Sequence, residues 1–229
     1  MSSPIILALD TKEIEEAQKW IEISLPQINH FKIGLEFYLK HGYAAVATIK
    51  EKFNFNLFLD LKLYDIPNTV KGAVESVAGL DPKFLTVHAS GGSKMINAAA
   101  VALPNGSITA VTVLTSFSVD AFKKLGYQND IAKTVQLWAT DAISSGATSI
   151  VCSPFEAKLI RSISKDVTII TPGVRLPGDD VGDQARVMTP KDAIENGANF
   201  VVIGRSITNE SKNGSAAMQS KIKEIIESI

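Results

Sequence analysis

The sequence predicts an α/β protein, a (β/α)8 TIM barrel formed as a single domain over residues 1–229. Three observations predict it. Eight apolar runs of strand length recur along the chain, and amphipathic segments of helical period separate them. The runs are also continuous rather than alternating, as parallel strands buried on both faces require. A chain of 229 residues suits a barrel, whose typical size is about 250 residues. Division by about 150 residues per domain gives roughly 1.5, which by itself allows two small units or one large one. No linker, low-complexity tract or internal repeat divides the sequence. The competing architecture is a doubly wound open sheet, whose dinucleotide-binding form carries a glycine fingerprint after its first strand. The segment there reads LALDTKEIEE, with no glycine at all.

In chain order the runs are Ile5–Leu9, Phe31–Ile33, Leu57–Leu61, Phe84–Val87, Ile108–Leu114, Thr148–Val151, Val167–Ile170 and Phe200–Ile203. The intervening segments read as helices. Lys12–Ile23 follows Thr11, a residue suited to an N-cap, and carries Glu13, Glu15 and Glu16 where the helix dipole favours them. Its residues Ile14, Ala17 and Ile21 form one apolar face. Pro67–Ala78 opens on proline, whose missing N–H is harmless at that position. Asn129–Ser144 spaces Ile131, Val135, Trp138, Ala139 and Ala142 for one face. Ser206 is placed to cap the tail, which ends in the periodic run Met218–Ile229.

Composition excludes several classes of function. The 23 Lys and Arg balance 24 Asp and Glu, a formal net charge of −1, so no charge excess points to nucleic acid or to an acidic membrane surface. One cysteine, Cys152, makes neither an internal disulfide nor a structural zinc site, which fits a reducing compartment. The opening MSSPIILALD lacks the basic start and long apolar core of a signal peptide, and no stretch approaches about 20 apolar residues. The expectation is a cytoplasmic protein without a membrane span.

Active sites of barrels lie at the C-terminal ends of the strands, so those ends carry the functional reading. The first ends in Asp10; the second carries Lys32 before Gly34; the third ends in FLDLKLYDIPNT. Along that third strand, two-residue alternation directs Phe58, Asp60 and Lys62 to one face and Leu57, Leu59 and Leu61 to the other. The leucines belong against helices, which leaves Asp60 and Lys62 in the barrel mouth. Ions buried there cost several kcal/mol unless paired. Lys32, Asp60, Lys62 and Asp65 sum to zero charge, as a coupled network requires. The alternative is a solvated salt bridge at a strand end. The seventh and eighth ends, TPGVR and VIGRS, suit phosphate: Gly173 and Gly204 permit close backbone approach, and Arg175 and Arg205 supply forked donors. Otherwise these glycines merely make tight turns. Leu176–Met188 reads as a mobile loop able to cover a phosphorylated ligand, with Gln184 as a contact.

Together these segments resemble the orotidine 5′-phosphate decarboxylase family over essentially the whole chain. The resemblance rests on ALD at Asp10, FKIG at Lys32, DLKLYDIPNT from Asp60 to Thr69, VHASGG, VTVLTS, TPGVR, GDQ and VIGR. It implies a barrel enzyme that converts orotidine 5′-phosphate to UMP and CO2 with neither metal nor organic cofactor. It further implies that Lys62 is the ammonium beside the pyrimidine C6, and that Asp60, flanked by Lys32, sits near the departing carboxylate. Asp10 and Lys32 would touch the ribose hydroxyls, Thr115 the pyrimidine, and Gln184 both base and phosphate. Arg205 and Gly204 would hold the phosphate, with Arg175 in the same region. Asp65 and Thr69 would cross into the site of a second subunit, making a homodimer.

Two rivals remain at this level. Metal-dependent sugar-phosphate decarboxylases and aldolases of the same superfamily share the Asp-x-Lys-x-x-Asp pattern but are similar in placing an acid where Lys32 stands. A non-catalytic nucleotide-binding barrel would have no need of the four charges. His88 is expected to pack or to support the site, His30 and His41 to lie on the surface or in helix packing, Cys152 to be an inert thiol, and Trp20 and Trp138 to be core.

Overall fold

The computed structural model describes residues 3–176 and 188–229. Among them, eight parallel strands close into a barrel in sequence order, β1 bonding to both β2 and β8. The elements run β1 (Ile5–Ala8), α1 (Ile14–Ser24), β2 (His30–Gly34), α2 (Leu35–Lys52), β3 (Asn56–Leu63), α3 (Pro67–Val77) and β4 (Phe84–His88). They continue α4 (Gly92–Ala102), β5 (Ser107–Val111), α5 (Val119–Lys124), α6 (Ile131–Ser144), β6 (Ser149–Val151) and α7 (Ala157–Ile163). The chain ends with β7 (Thr168–Thr171), α8 (Pro190–Glu195), β8 (Phe200–Ile203), α9 (Arg205–Thr208) and α10 (Ser215–Ser228).

The continuous apolar runs serve two separate cores. Ile5, Leu7, Leu57, Leu59, Leu85 and Val87 face outward and pack with the helices. Their neighbours Ile6, Phe58, Phe84 and Ile170 face inward and fill the barrel with Val151, Phe200 and Val202. A strand buried on both faces has no polar side to show, hence the absence of alternation. The interior also holds hydroxyls: Ser149 lies 2.6 Å from Thr109 and 2.7 Å from Ser107 across the β5–β6 seam.

The structure revises several local expectations. The first helix starts at Ile14 rather than Lys12, because the Thr11 hydroxyl accepts the Glu13 N–H and leaves Glu13 at the cap position. The helix expected from Asn129 starts at Ile131, where Asp130 caps α6 by accepting the Lys133 N–H at 2.7 Å. Ser206 lies inside α9, and the tail helix opens after Gly214. His30 is neither on the surface nor in helix packing. As the first residue of β2 it points into the barrel, its ring 4.7 Å from that of Phe200 and 6.3 Å from that of Phe84. Burial, with Lys83 nearby, lowers its pKa to about 4. His41 sits on α2 against Phe37, with Nε2 2.7 Å from the Lys12 carbonyl. Trp20 is buried and donates to Ser211 at 3.0 Å, while Trp138 is partly buried with its edge toward Tyr127.

At the N-terminal end of the barrel, Arg161 holds two connections together. Its guanidinium donates to the carbonyls of Lys165 (2.7 Å) and Val167 (2.9 Å) before and at the entry to β7. It also donates to Gly197 (2.9 Å) and to the Asn199 side chain (2.6 Å) ahead of β8. No helix among the described residues is long and apolar enough to cross a membrane.

Candidate active site

The C-terminal strand ends surround a cavity of ≈ 320 Å³. Asp60 and Lys62 reach it through a break in the β3 ladder. Leu59 pairs with Leu85 and Leu63 with Val87, so Asp60, Leu61 and Lys62 together oppose the single residue Thr86. The extra residues turn Lys62 into the left-handed region, at φ 48°. That conformation costs a residue with a Cβ about 1–2 kcal/mol. Both side chains face the cavity, but through a bulge rather than the regular alternation expected from sequence.

Four charges then join in a line. Lys32 Nζ lies 2.9 Å from Asp10 Oδ1 and 3.5 Å from Asp60 Oδ2, while Lys62 Nζ lies 2.7 Å from Asp60 Oδ1. The middle of the line is the most buried: the Lys32 and Asp60 side chains are 12% and 11% exposed, and the ends, Lys62 and Asp10, 31% and 57%. Burial pushes the Asp60 carboxyl up, yet Lys32 and Lys62, with hydrogen bonds from Lys62 and Thr86, outweigh it and hold the group below the usual carboxylate range. Burial likewise pulls Lys32 down, and the carboxylates of Asp10 and Asp60 outweigh it to leave a net rise. Both shifts favour the charged forms. Within one chain the fourth member of the line is therefore Asp10, not Asp65.

The other walls come from the later strands. Thr115 and Ser116 follow β5, Cys152 follows β6, Gly173 and Arg175 follow β7, and Gly204 and Arg205 follow β8. Gly173 adopts φ 77°, where a side chain would be strained. Beyond it, Val174 bridges Met188 and the Arg175 N–H donates to the Met188 carbonyl at 3.0 Å. The expected covering loop and Gln184 fall on 177–187, outside the described residues.

The structure thus brings Asp10, Lys32, Asp60, Lys62, Thr115, Arg175, Gly204 and Arg205 to one cavity. Asp65 and Thr69 are exposed and do not line it; Asp65 Oδ1 accepts the neighbouring Ile66 N–H at 2.7 Å. His88 ends β4 with its ring 5.5 Å from that of Tyr64. Burial first, and Lys62 second, lower its pKa against an opposing pull from Asp60, which favours a neutral ring. Sequence reasoning missed Ser116 as a wall, gave Cys152 no place there, and passed over Thr86. The signal for Thr86 was a hydroxyl in an otherwise apolar strand, FLTVH, where a buried polar group needs a partner.

Comparison with known proteins bears on the family and the fold. The sequence profile of the orotidine 5′-phosphate decarboxylase / HUMPS family matches residues 3–220. The chain is 48% identical over 218 residues to an orotidine 5′-phosphate decarboxylase of Thermobifida fusca (strain YX), covering 95% of this chain and 94% of that one. It is 43% identical over 219 residues to one from Wolbachia pipientis subsp. Culex pipiens (strain wPip), covering 94% and 96%. Among solved structures, an orotidine 5′-phosphate decarboxylase from Lactobacillus acidophilus superposes with a TM-score of 0.83 at 33% identity, covering 98% of this chain and 99% of that one.

Proposed function

The chain belongs to the orotidine 5′-phosphate decarboxylase / HUMPS family and catalyses the decarboxylation of orotidine 5′-phosphate in pyrimidine biosynthesis; we propose that Lys62 stabilises the C6 carbanion and then protonates it. The carrying observation is the Lys62 ammonium, held 2.7 Å from Asp60 at a cavity whose far walls hold Arg175 and Arg205. When the C6–carboxylate bond breaks, CO2 leaves and the electron pair stays on C6 in the ring plane, with no conjugated sink. A fixed cation beside that carbon gains attraction as charge develops, which lowers the barrier specifically in the transition state. The same ammonium donates its proton to C6, giving UMP, and the amine regains a proton from water.

The remaining assignments follow what the family resemblance implies for these residues. Arg205 and the Gly204 backbone hold the phosphate with Arg175 beside them, Thr115 meets the pyrimidine, and Gln184 joins base and phosphate. Asp10 and Lys32 contact the ribose, and Asp60 orients Lys62 near the substrate carboxylate. Residues 1–229 act as one decarboxylase domain, and its lone, buried cysteine suits the cytoplasm. Asp65 and Thr69 serve the partner subunit of a homodimer. Their exposure beside Tyr64 (62% exposed) and Ile66 (67%) supports this, because apolar surface of that kind marks an interface.

The donor set does not suit a divalent cation. Lys32 already stands between the two carboxylates, Asp10 and Asp60, that such an ion would bridge, and its charge opposes one. The reaction is therefore read as independent of a divalent metal, and the family resemblance implies no organic cofactor.

Conversion of orotidine 5′-phosphate to UMP by the purified protein, followed by ultraviolet absorbance, tests the reading, and an inactive wild type refutes it. Lys62→Ala should lower kcat by at least about 10³-fold while UMP still binds; an active variant removes Lys62 from its role. Excess chelator should leave turnover unchanged, and its loss would favour the metal-dependent relatives. Mixing Asp60→Asn and Asp65→Asn subunits under exchange should restore one working site per mixed dimer, and no recovery overturns the shared site.

A further inference from the structure

We infer that Thr86 is a positioning residue that sets the reach of Lys62, an inference that rests on the role proposed for Lys62. Thr86 is fully buried on β4 and does not line the cavity, so it acts only through its neighbours. Its hydroxyl fills both hydrogen-bonding roles at once. The oxygen accepts the backbone N–H of Lys62 at 2.8 Å, and the proton is donated to Asp60 Oδ1 at 3.1 Å. The same Oδ1 receives the Lys62 ammonium at 2.7 Å. One hydroxyl, one carboxylate and one lysine, bonded at both its backbone and its side-chain end, therefore close a ring.

The ring has a structural reason. The bulge from Asp60 to Lys62 removes the Lys62 amide from the β3–β4 ladder, and Thr86 is the one residue of β4 facing those three. A buried amide without a partner is unfavourable, and so is a lysine at φ 48°. The Thr86 hydroxyl satisfies the amide and so holds the left-handed turn in place. It also fixes which Asp60 oxygen faces Lys62 and which faces Lys32 3.5 Å away. Without it the turn can relax toward ordinary strand, and the ammonium moves off its position over the cavity floor. The walls that would take the phosphate, at Arg175 and Arg205, follow β7 and β8, on other strands than Thr86.

The expected outcome is a split between chemistry and binding. Thr86→Val keeps the shape and loses the hydroxyl. It should lower kcat by about 10²-fold, the scale of an ångström's misplacement of a reacting group, while the UMP dissociation constant changes less than about threefold. A UMP analogue bearing an oxyanion at C6 mimics the developing charge and should lose affinity in proportion to kcat. Thr86→Ser should return kcat to within about fivefold of wild type. If Thr86→Val does not fold, the pair Thr86→Ser and Thr86→Ala, differing only in the hydroxyl, is read instead.

Equal kcat with and without the hydroxyl overturns the inference. Equal losses of affinity for UMP and for the oxyanion analogue also overturn it, because they mark general disruption. Lys62→Ala measured alongside separates the two levels. An active Lys62→Ala defeats the reading of Lys62 itself, whereas an inactive Lys62→Ala beside an unaffected Thr86→Val defeats only the role of Thr86.

Discussion

Lys32 and Asp60 meet at 3.5 Å with side chains 12% and 11% exposed, so removing either charge leaves the other with one partner in place of two, Asp10 for Lys32 or Lys62 for Asp60. Breaking one half of a buried pair costs about 3–5 kcal/mol, much of it from the partner left behind. Lys32→Ala and Asp60→Ala should each destabilise the protein by about 3 kcal/mol in urea denaturation. The double variant should cost less than the sum, with coupling of about 1–3 kcal/mol. Additive losses would show that the two charges are independent. Because the folded carboxyl of Asp60 lies below its ordinary 3.8, its contribution is complete above that pH and lost as pH falls through the lower folded value.

Gly34 allows a finer displacement of the same line. A methyl group at this position would sit 3.1 Å from Lys32 Nζ and 3.8 Å from Asp10 Oδ1, and would meet no backbone. The ammonium is the flexible end of a long side chain and yields cheaply, so Gly34→Ala should change stability by about 1 kcal/mol or less. It should lower kcat by up to about tenfold by displacing the Lys32 ammonium slightly while its two carboxylates stay within reach. Unchanged turnover would mean that the position of Lys32 is not critical.

His30 makes a pH prediction at the far end of the barrel. Its folded pKa of about 4 lies below the ordinary 6.5, so the native ring is neutral while the unfolded chain takes up a proton as pH falls. Stability from this group is complete above about pH 6.5 and declines as pH drops toward 4. Between pH 7 and pH 5 the loss should be about 2 kcal/mol. His30→Leu, which cannot ionise, should flatten that part of the stability profile. A wild type and variant with parallel profiles would contradict it.

Arg161 predicts stability without chemistry. Its guanidinium supports carbonyls on both sides of the β7–β8 entry, and lysine cannot reproduce a planar fork with five N–H donors. Arg161→Lys should cost about 3 kcal/mol by thermal or denaturant unfolding, since hydrogen bonds to a charged group are worth about 1.5–3 kcal/mol each. At 25 °C kcat should stay at the wild-type value, because these contacts lie at the end opposite the cavity. A fall in kcat without a fall in stability would reverse the assignment.

The barrel was legible because its signal is repeated eight times and each run is apolar on both faces. The charges at the mouth were legible for the opposite reason: Asp60 and Lys62 are costly inside a strand that otherwise reads leucine and phenylalanine. The bulge that carries them was not, since a lysine gives no hint of a left-handed backbone in the way Gly173 does. His30 was misplaced because it stands just ahead of its apolar run, and sequence alone does not tell a strand's first inward residue from the end of a loop. The destination of Asp65 and Thr69 depends on a second chain, so one sequence carries only their exposure. Helix starts shifted by one or two residues where Thr11 and Asp130 chose among nearby amides, a competition settled by side-chain reach.

The pairing of β1 with β8 sets a timetable for synthesis. Leu7 meets Ile203 only after about 200 further residues have been made, and at roughly 5–20 residues per second that takes about 10–40 s. Throughout that interval one edge of the Ile5–Ala8 strand is bare, apolar and able to pair with a neighbouring nascent chain. The edge that β8 later covers is therefore open to wrong pairing before the first catalytic turnover.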